Sequence, residues 1–275
     1  MKDSEGVVYI VTEENYFREF EKSAKQLKKT NDVPITLITL EEKQYDFIDE
    51  NIVVDDPGKG SDKIYLLEKT PYDRTLYLDT DTYVVDEINE LFDVLNQFEL
   101  AIRRAPQRAS EEMEDVPPTF SELNTGVISY RKTDDVQQLF DDWKELYEDR
   151  SYESHRDQPV FRKALYYSDV DFTTIPSEYN CRFGIPGYLY NEAKILHGRL
   201  DKFDTIGYRF TVMPEKAQKQ LNNKTSSRVH YLKRNNLKIK KINPRSWDKL
   251  YSALKWYGIK ETIERTIEKI KGLKK

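Results

Sequence analysis

The sequence predicts an α/β fold: a mostly parallel central sheet flanked by helices, followed by a helical C-terminal extension. Three features predict it. Two short apolar runs, residues 6–12 (GVVYIVT) and 35–40 (ITLITL), bracket a stretch with helically spaced apolar residues. Such a strand–helix–strand opening makes the two strands parallel. A third apolar run, Leu76-Tyr77-Leu78, ends in Asp79-Thr80-Asp81, and Tyr83-Val84-Val85 follows. Ligands bind beyond the carboxyl ends of strands in open α/β sheets, so the acidic pair falls where chemistry is expected.

The elements follow in order. Residues 6–12 form an unbroken apolar run, as a strand covered on both faces requires. Residues 15–30 place Tyr16, Phe17, Phe20, Ala24 and Leu27 at helical spacing. Residues 61–69 read as a helix, with Gly60 or Ser61 near its N-cap. Residues 89–98 predict a short helix and 99–105 a strand. Residues 106–120, acidic and carrying Pro117-Pro118, predict a mobile loop. A strand follows at 126–130 (GVISY), and Thr133 is placed to cap a helix over 134–149. A helix over 157–166 and strands over 170–175 and 194–196 complete a body spanning residues 1–212.

Residues 213–275 read as a basic, mostly helical extension. Trp247, Leu250, Tyr251, Leu254 and Tyr257 line one amphipathic helix; Ile259, Ile263, Ile267 and Ile270 line the next, and Gly258 divides them. From residue 228 onward there are 15 Lys/Arg and 4 Asp/Glu, a net of +11 against −5 for the whole chain, so residues 1–227 carry −16. Two readings of the tail stand: its apolar stripes pack on the body, or they dock on an anionic membrane surface near a lipid-linked acceptor.

Composition excludes several classes. An acidic body argues against nucleic acid as a partner. Three His and one Cys rule out a zinc-finger array and any internal disulfide. The start, MKDSEGVVYIV, has no apolar core of signal length, and no run approaches the roughly 18–20 apolar residues that span a bilayer. The expectation is a cytoplasmic protein, soluble or peripheral on the cytoplasmic membrane face.

Three clusters carry the chemistry. Asp79 and Asp81 follow a buried strand, and His197 follows the short apolar run of AKILHGR. Two carboxylates and an imidazole, completed by water and diphosphate oxygens, suit Mn²⁺, with Mg²⁺ less well matched to the nitrogen. The plain alternative for Asp-X-Asp is a turn or a helix cap. Asn124-Thr125-Gly126 precedes a strand, and the glycine permits a close backbone approach to a ligand; an ordinary turn is the alternative. Asp157-Gln158-Pro159 opens a helix, at a pocket rim or simply as a cap. Gly58-Lys59-Gly60-Ser61 lacks phosphate-loop spacing.

In this order IVTEENYF, Lys63, YLDTDT, LNTGVI, DQPVF, YNCRF and ILHG resemble the GT-A glycosyltransferases, most closely the family 8-like retaining enzymes, over roughly residues 5–200. The resemblance implies a Rossmann-like sheet and transfer of a sugar from a nucleotide-diphosphate donor, a UDP-sugar, to a saccharide, lipid-linked or protein acceptor. It places Thr12 and Asn15 near base and ribose, and Lys63 and Thr80 toward the nucleotide or diphosphate. Asp79, Asp81 and His197 would hold the metal, Asn124 and Thr125 would face the donor sugar, and Asp157 and Gln158 would act near the anomeric carbon. The sequence departs from the family where Lys-Pro-Trp is expected after the histidine: the run is His197-Gly198-Arg199-Leu200-Asp201-Lys202, so the resemblance implies that Gly198 and either Arg199, with bidentate geometry, or Lys202 would meet the diphosphate. LDTDT also resembles the nucleophile motif of haloacid-dehalogenase-type phosphatases, but Tyr83 stands where those have Thr or Val, and a complete strand–helix–strand precedes it. A non-catalytic sugar-nucleotide binder would carry the same site.

Overall fold

The computed structural model describes residues 4–58, 61–105, 113, 115–149, 156–182, 185–198, 214–222, 227–233 and 236–241, with helical positions 259, 261, 263, 264 and 267. The chain opens as predicted, with β1 (Glu5–Ile10), α1 (Glu14–Thr30) and β2 (Ile35–Thr39), the two strands paired in parallel. Next come β3 (Glu50–Val53), the short α2 (Lys63–Leu66), β4 (Arg74–Leu78) and β5 (Thr82–Val84). Then follow α3 (Glu90–Asp93), β6 (Leu100–Arg104), β7 (Leu123–Arg131), α4 (Asp134–Glu148), α5 (Asp157–Tyr167) and β8 (Phe172–Thr174).

The main sheet has seven strands in the order β3-β2-β1-β4-β7-β6-β8. Only β7 runs against the others, pairing antiparallel with both β4 and β6. Alternate side chains feed two apolar layers, as a strand's two-residue period requires. Val7, Tyr9, Leu76 and Leu78 join Phe17, Phe20, Ala24 and Leu27 of α1 on one face. Val8, Ile10 and Tyr77 join Leu139 and Trp143 of α4 and Phe161 and Leu165 of α5 on the other. Thr133 caps α4 by accepting from the Val136 N–H at 3.3 Å.

Several elements differ from expectation. The helix predicted over 61–69 is α2 plus a tighter 3₁₀ turn, Leu67–Lys69, and it stops because Thr70 must be extended before Pro71. The helix predicted over 89–98 likewise splits into α3 and a 3₁₀ turn, Val94–Asn96. The strand expected at 126–130 starts at Leu123, so Asn124 and Thr125 lie inside β7 and not in a turn before it. A register shift between Ile102 and Arg103 releases residues 125–127 from β6. The strand tolerates the buried polar pair because both side chains find partners in the site. Of the predicted loop, residues 106–112 and 114 lie outside the described residues; Arg162 of α5 holds its remainder by donating to the carbonyls of Phe120 (2.5 Å) and Pro117 (2.9 Å).

The rest of the chain builds two small sheets from β9 (Cys181–Arg182), β10 (Gly187–Leu189), β11 (Ile195–His197), α6 (Pro214–Asn222), β12 (Arg228–Lys233) and β13 (Asn236–Lys241). One sheet is β5-β11-β9, the other β10-β12-β13. Residues 228–233 and 236–241, expected within a mostly helical extension, are therefore two antiparallel strands. Here Leu237 and Ile239 alternate with lysines, and two-residue alternation suits a half-buried strand. Leu237, Ala217 and Leu221 share one apolar cluster with Tyr83, Val85, Cys181 and Leu196. The predicted helix over 246–257, Gly258 and Ile270 lie outside the described residues.

Candidate active site

The acidic pair sits where β4 gives out. The Asp79 N–H still donates to the Gly126 carbonyl of β7 at 2.9 Å. The chain then turns: Thr82 donates to the Asp79 carbonyl from its N–H at 3.1 Å and from its hydroxyl at 2.8 Å. That turn carries β5 out of the main sheet and onto β11, with His197 opposite Thr82. The Gly198 N–H donates to the Asp81 carbonyl at 2.9 Å, closing the corner. Gly198 has φ 142, a left-handed value that glycine adopts without strain.

This pairing puts three donor groups together. His197 Nε2 lies 3.2 Å from Asp81 Oδ1 and 3.9 Å from Asp79 Oδ2. One ligand atom from each residue falls within 4.8 Å of the other two. The ring is buried and oriented from behind. Asn180 donates through Nδ2 to Asn124 Oδ1 at 2.8 Å, so its own Oδ1 faces the ring and accepts from His197 Nδ1 at 2.8 Å. The proton therefore sits on Nδ1, and the Nε2 lone pair points at the aspartates. Burial lowers the His197 pKa, with Asp81 offsetting part of the effect, and the neutral form is the one that binds metal.

Gly126 makes room for the cluster. A methyl group there would clash with the His197 ring and stand 2.6 Å from Asp79 Oδ2. The glycine is needed for space, because β7 passes directly beneath the donors.

A second layer holds Asp79 and Asp157 apart. Lys63 Nζ lies 3.2 Å from Asp79 Oδ1 and 3.0 Å from Asp157 Oδ2. Burial alone would lower the Lys63 pKa, but Asp79 and Asp157 outweigh it and raise it, so the ammonium stays charged. Burial likewise works to raise the Asp157 pKa, yet Lys63 and the Thr125 hydroxyl, donating at 2.5 Å, hold it below the ordinary carboxylate value. Tyr77 donates from its hydroxyl to Asp79 Oδ1 at 2.7 Å. Asn124 Nδ2 donates to Gln158 Oε1 at 3.4 Å.

The structure thus brings together Lys63, Asp79, Asp81, Asn124, Thr125, Asp157, Gln158, His197 and Gly198. Asp157 is the first residue of α5 and Arg156 its N-cap, so the carboxylate serves Lys63 and Thr125 instead of closing the helix. The Thr80 hydroxyl turns away, donating to Glu19 Oε2 at 3.2 Å. Thr12 lies just past β1 and Asn15 in the first turn of α1. Both are at the carboxyl edge that β1 shares with the adjacent parallel β4. Arg199 and Lys202 lie outside the described residues. Sequence reasoning missed the roles of Tyr77 and Asn180. Asn180 stood inside the quoted YNCRF, but nothing in its spacing pointed to the histidine 17 residues on.

No family model matches this sequence, and no curated protein does. Solved structures do. The glycosyltransferase GlyE of Streptococcus pneumoniae TIGR4 matches with a TM-score of 0.54 and 20% identity, over 70% of this chain and 55% of that one. Its apo form gives 0.54 and 19%, over 70% and 54%. The galactosyltransferase LgtC, solved with donor and acceptor sugar analogs, gives 0.50 and 14%, over 64% of this chain and 74% of LgtC. The chain spans about half the length of GlyE. At these identities the likeness is one of fold, and the fold is GT-A.

Proposed function

We propose that this GT-A chain is a metal-dependent glycosyltransferase, moving a sugar from a nucleotide-diphosphate donor, a UDP-sugar, to a hydroxyl acceptor. One observation carries the reading: two carboxylates and the lone pair of an oriented, neutral imidazole converge at the carboxyl edge of the sheet. The donor set fits Mn²⁺, and Mg²⁺ less well because of the nitrogen. When bound there, the ion supplies positive charge for the departing diphosphate.

The chain's own residues do the rest. Asp79, Asp81 and His197 hold the ion at the strand ends. Asn180 keeps the imidazole in the ligating tautomer. Thr12 and Asn15 sit along the same edge, where base and ribose would lie. Asp157 and Gln158 flank the donor sugar from the start of α5, with Asn124 and Thr125 beside them.

The state of Asp157 bears on stereochemistry. Inversion needs a general base with a pKa near the working pH. Asp157 is held ionised below its ordinary range by Lys63 and Thr125, which makes it a poor base. The arrangement supports retention, with the carboxylate stabilising the oxocarbenium-like sugar electrostatically. The aspartyl-phosphatase reading has no use for His197, and so leaves the convergence of His197 on the aspartates without a purpose.

The test is UDP release from a panel of UDP-sugars with Mn²⁺ or EDTA, alongside thermal shift with UDP. Wild type is expected to release UDP and to be stabilised by UDP only with metal. Asp79→Asn and Asp81→Asn are expected to lose both effects while staying folded. Full turnover in EDTA would refute the proposal. UDP binding without any release would identify a sugar-nucleotide binder instead.

A further inference from the structure

Resting on the glycosyltransferase reading of the site, we propose that Arg182 binds an oxyanion carried by the saccharide substrate, a carboxylate or phosphate on the transferred sugar or on the acceptor. Arg182 and His197 are directly paired across β9 and β11, as are Cys181 and Leu196 one step earlier. Cys181 and Leu196 both enter the apolar cluster behind this small sheet. Side chains alternate along a strand, so Arg182 and His197 share the other face, the one turned to Asp79 and Asp81. Burial is the main cause that lowers the His197 pKa, and the charge of Arg182 adds to it against the pull of Asp81. Arg182 is half-buried, yet among the described residues its guanidinium has neither a carboxylate at ion-pair distance nor a hydrogen-bond acceptor. The other buried and half-buried arginines described, Arg74, Arg103, Arg131, Arg162 and Arg228, all donate to protein oxygens. A partly desolvated charge without a partner is costly, and here the partner has to come with the substrate.

The strand order β5-β11-β9 decides which part of the substrate meets this guanidinium. β5 lies against α1, with the Ser23 and Thr82 hydroxyls 3.4 Å apart, on the side of Thr12 and Asn15 and hence of the nucleotide. β9 lies on the opposite side of the imidazole. Asn180, two residues before Arg182, donates to Asn124 of β7, and Asn124 donates to Gln158 of α5. Asn124 and Gln158 are the residues that flank the donor sugar in the proposed reaction. Arg182 therefore stands on the sugar and acceptor side of the metal ligands. A neutral hydroxyl leaves its charge unbalanced. The guanidinium would be repelled by a divalent cation held at Asp79, Asp81 and His197. It also faces Arg103, whose pKa is lowered first by burial and further by the charge of Arg182. An incoming oxyanion offsets both repulsions, and the planar fork of the guanidinium matches a carboxylate or phosphate with two hydrogen bonds.

The test is calorimetry and thermal shift on the full chain with Mn²⁺, in two arms. The donor arm compares UDP-glucose and UDP-galactose with UDP-glucuronate and UDP-galacturonate. The acceptor arm adds UDP and compares glucose and galactose with their uronates and 6-phosphates. Wild type is expected to bind the charged members of one arm at least about tenfold more tightly than the neutral ones, the scale of a hydrogen bond to a charged group. The arm that responds tells whether the oxyanion sits on the transferred sugar or on the acceptor. Arg182→Gln is expected to lose the preference, and Arg182→Lys, which keeps the charge without the fork, to recover part of it. A wild type that favours no charged saccharide in either arm, or an Arg182→Gln variant that keeps the full preference, would overturn the proposal. So would a loss of affinity for UDP itself by the same factor in Arg182→Gln, because the guanidinium would then serve the diphosphate. Mn²⁺-dependent UDP binding by wild type is measured in the same titrations, so absence of a charged-saccharide preference leaves the metal-site reading standing.

Discussion

His197 Nδ1 donates to Asn180 Oδ1 at 2.8 Å, and this one bond fixes which nitrogen of the ring faces Asp79 and Asp81. Asn180 is completely buried, with its own amide nitrogen committed to Asn124. Loss of such an outer hydrogen bond lowers metal affinity about 10–100-fold. Asn180→Ala is expected to weaken Mn²⁺ binding on that scale by calorimetry. Asn180→Asp, which keeps an acceptor toward Nδ1, is expected to recover part of it. Equal Mn²⁺ affinity in wild type and the alanine variant would dismiss the positioning role.

Gly126 is a second lever on the same atoms. In Gly126→Ala the new methyl meets the His197 ring and Asp79 Oδ2 together. The ring and the carboxylate are the parts able to yield, because β7 is held between β4 and β6. Displacement of reacting groups by about 1 Å costs on the order of a hundredfold in rate. UDP release is expected to fall on that scale while far-UV circular dichroism stays unchanged; a fully active alanine variant would contradict the packing.

Lys63 is the cation between two acids. Lys63→Met leaves Asp157 and Asp79 without it, and breaking a buried pair from one side costs on the order of 3–5 kcal/mol. The pH dependence has a defined sign. Asp157 is depressed when folded, so the pair's contribution is present above the unfolded carboxylate value of about 3.9 and is lost as pH falls through the folded value. Urea unfolding is expected to show the largest gap between variant and wild type at neutral pH, narrowing below about pH 4. A gap independent of pH would point to lost packing instead of lost charge.

His230 makes stability depend on acid. Burial, with Arg103 and Arg228 nearby, pushes its pKa down to about 4. Unfolded histidine titrates near about 6.5, so the unfolded state binds more protons between these values and stability falls as pH drops through that window. The difference amounts to on the order of 3 kcal/mol. His230→Leu is expected to unfold with a flatter dependence between pH 7 and pH 4 than wild type. Parallel curves would assign the acid sensitivity to other groups.

The opening strands, α1 and the strand before the acidic pair were legible because their apolar residues recur with clean periods. So were Asp79 and Asp81, whose position after a buried run is a local property. His197 was named from its setting after a short run, and the fold placed it in that run as the last residue of β11. Helix ends were less legible: Pro71 cut one element short, and nothing local marked the break at Val94. The antiparallel pair β12 and β13 was missed because the lysine-rich β13 looks solvated until β12, itself paired to β10, supplies its partner.

The amino-acid order alone determined the α/β class, the parallel opening, the acidic pair at a strand tip and the division of charge between body and tail. Each of these depends on spacing along the chain. Tertiary structure decided that β5 leaves the main sheet to pair with β11, that Asn180 sets the histidine tautomer, that Lys63 bridges two acids and that β7 needs a glycine beneath the cluster. These depend on distances between residues far apart in sequence, and only the packed sheets fix such distances.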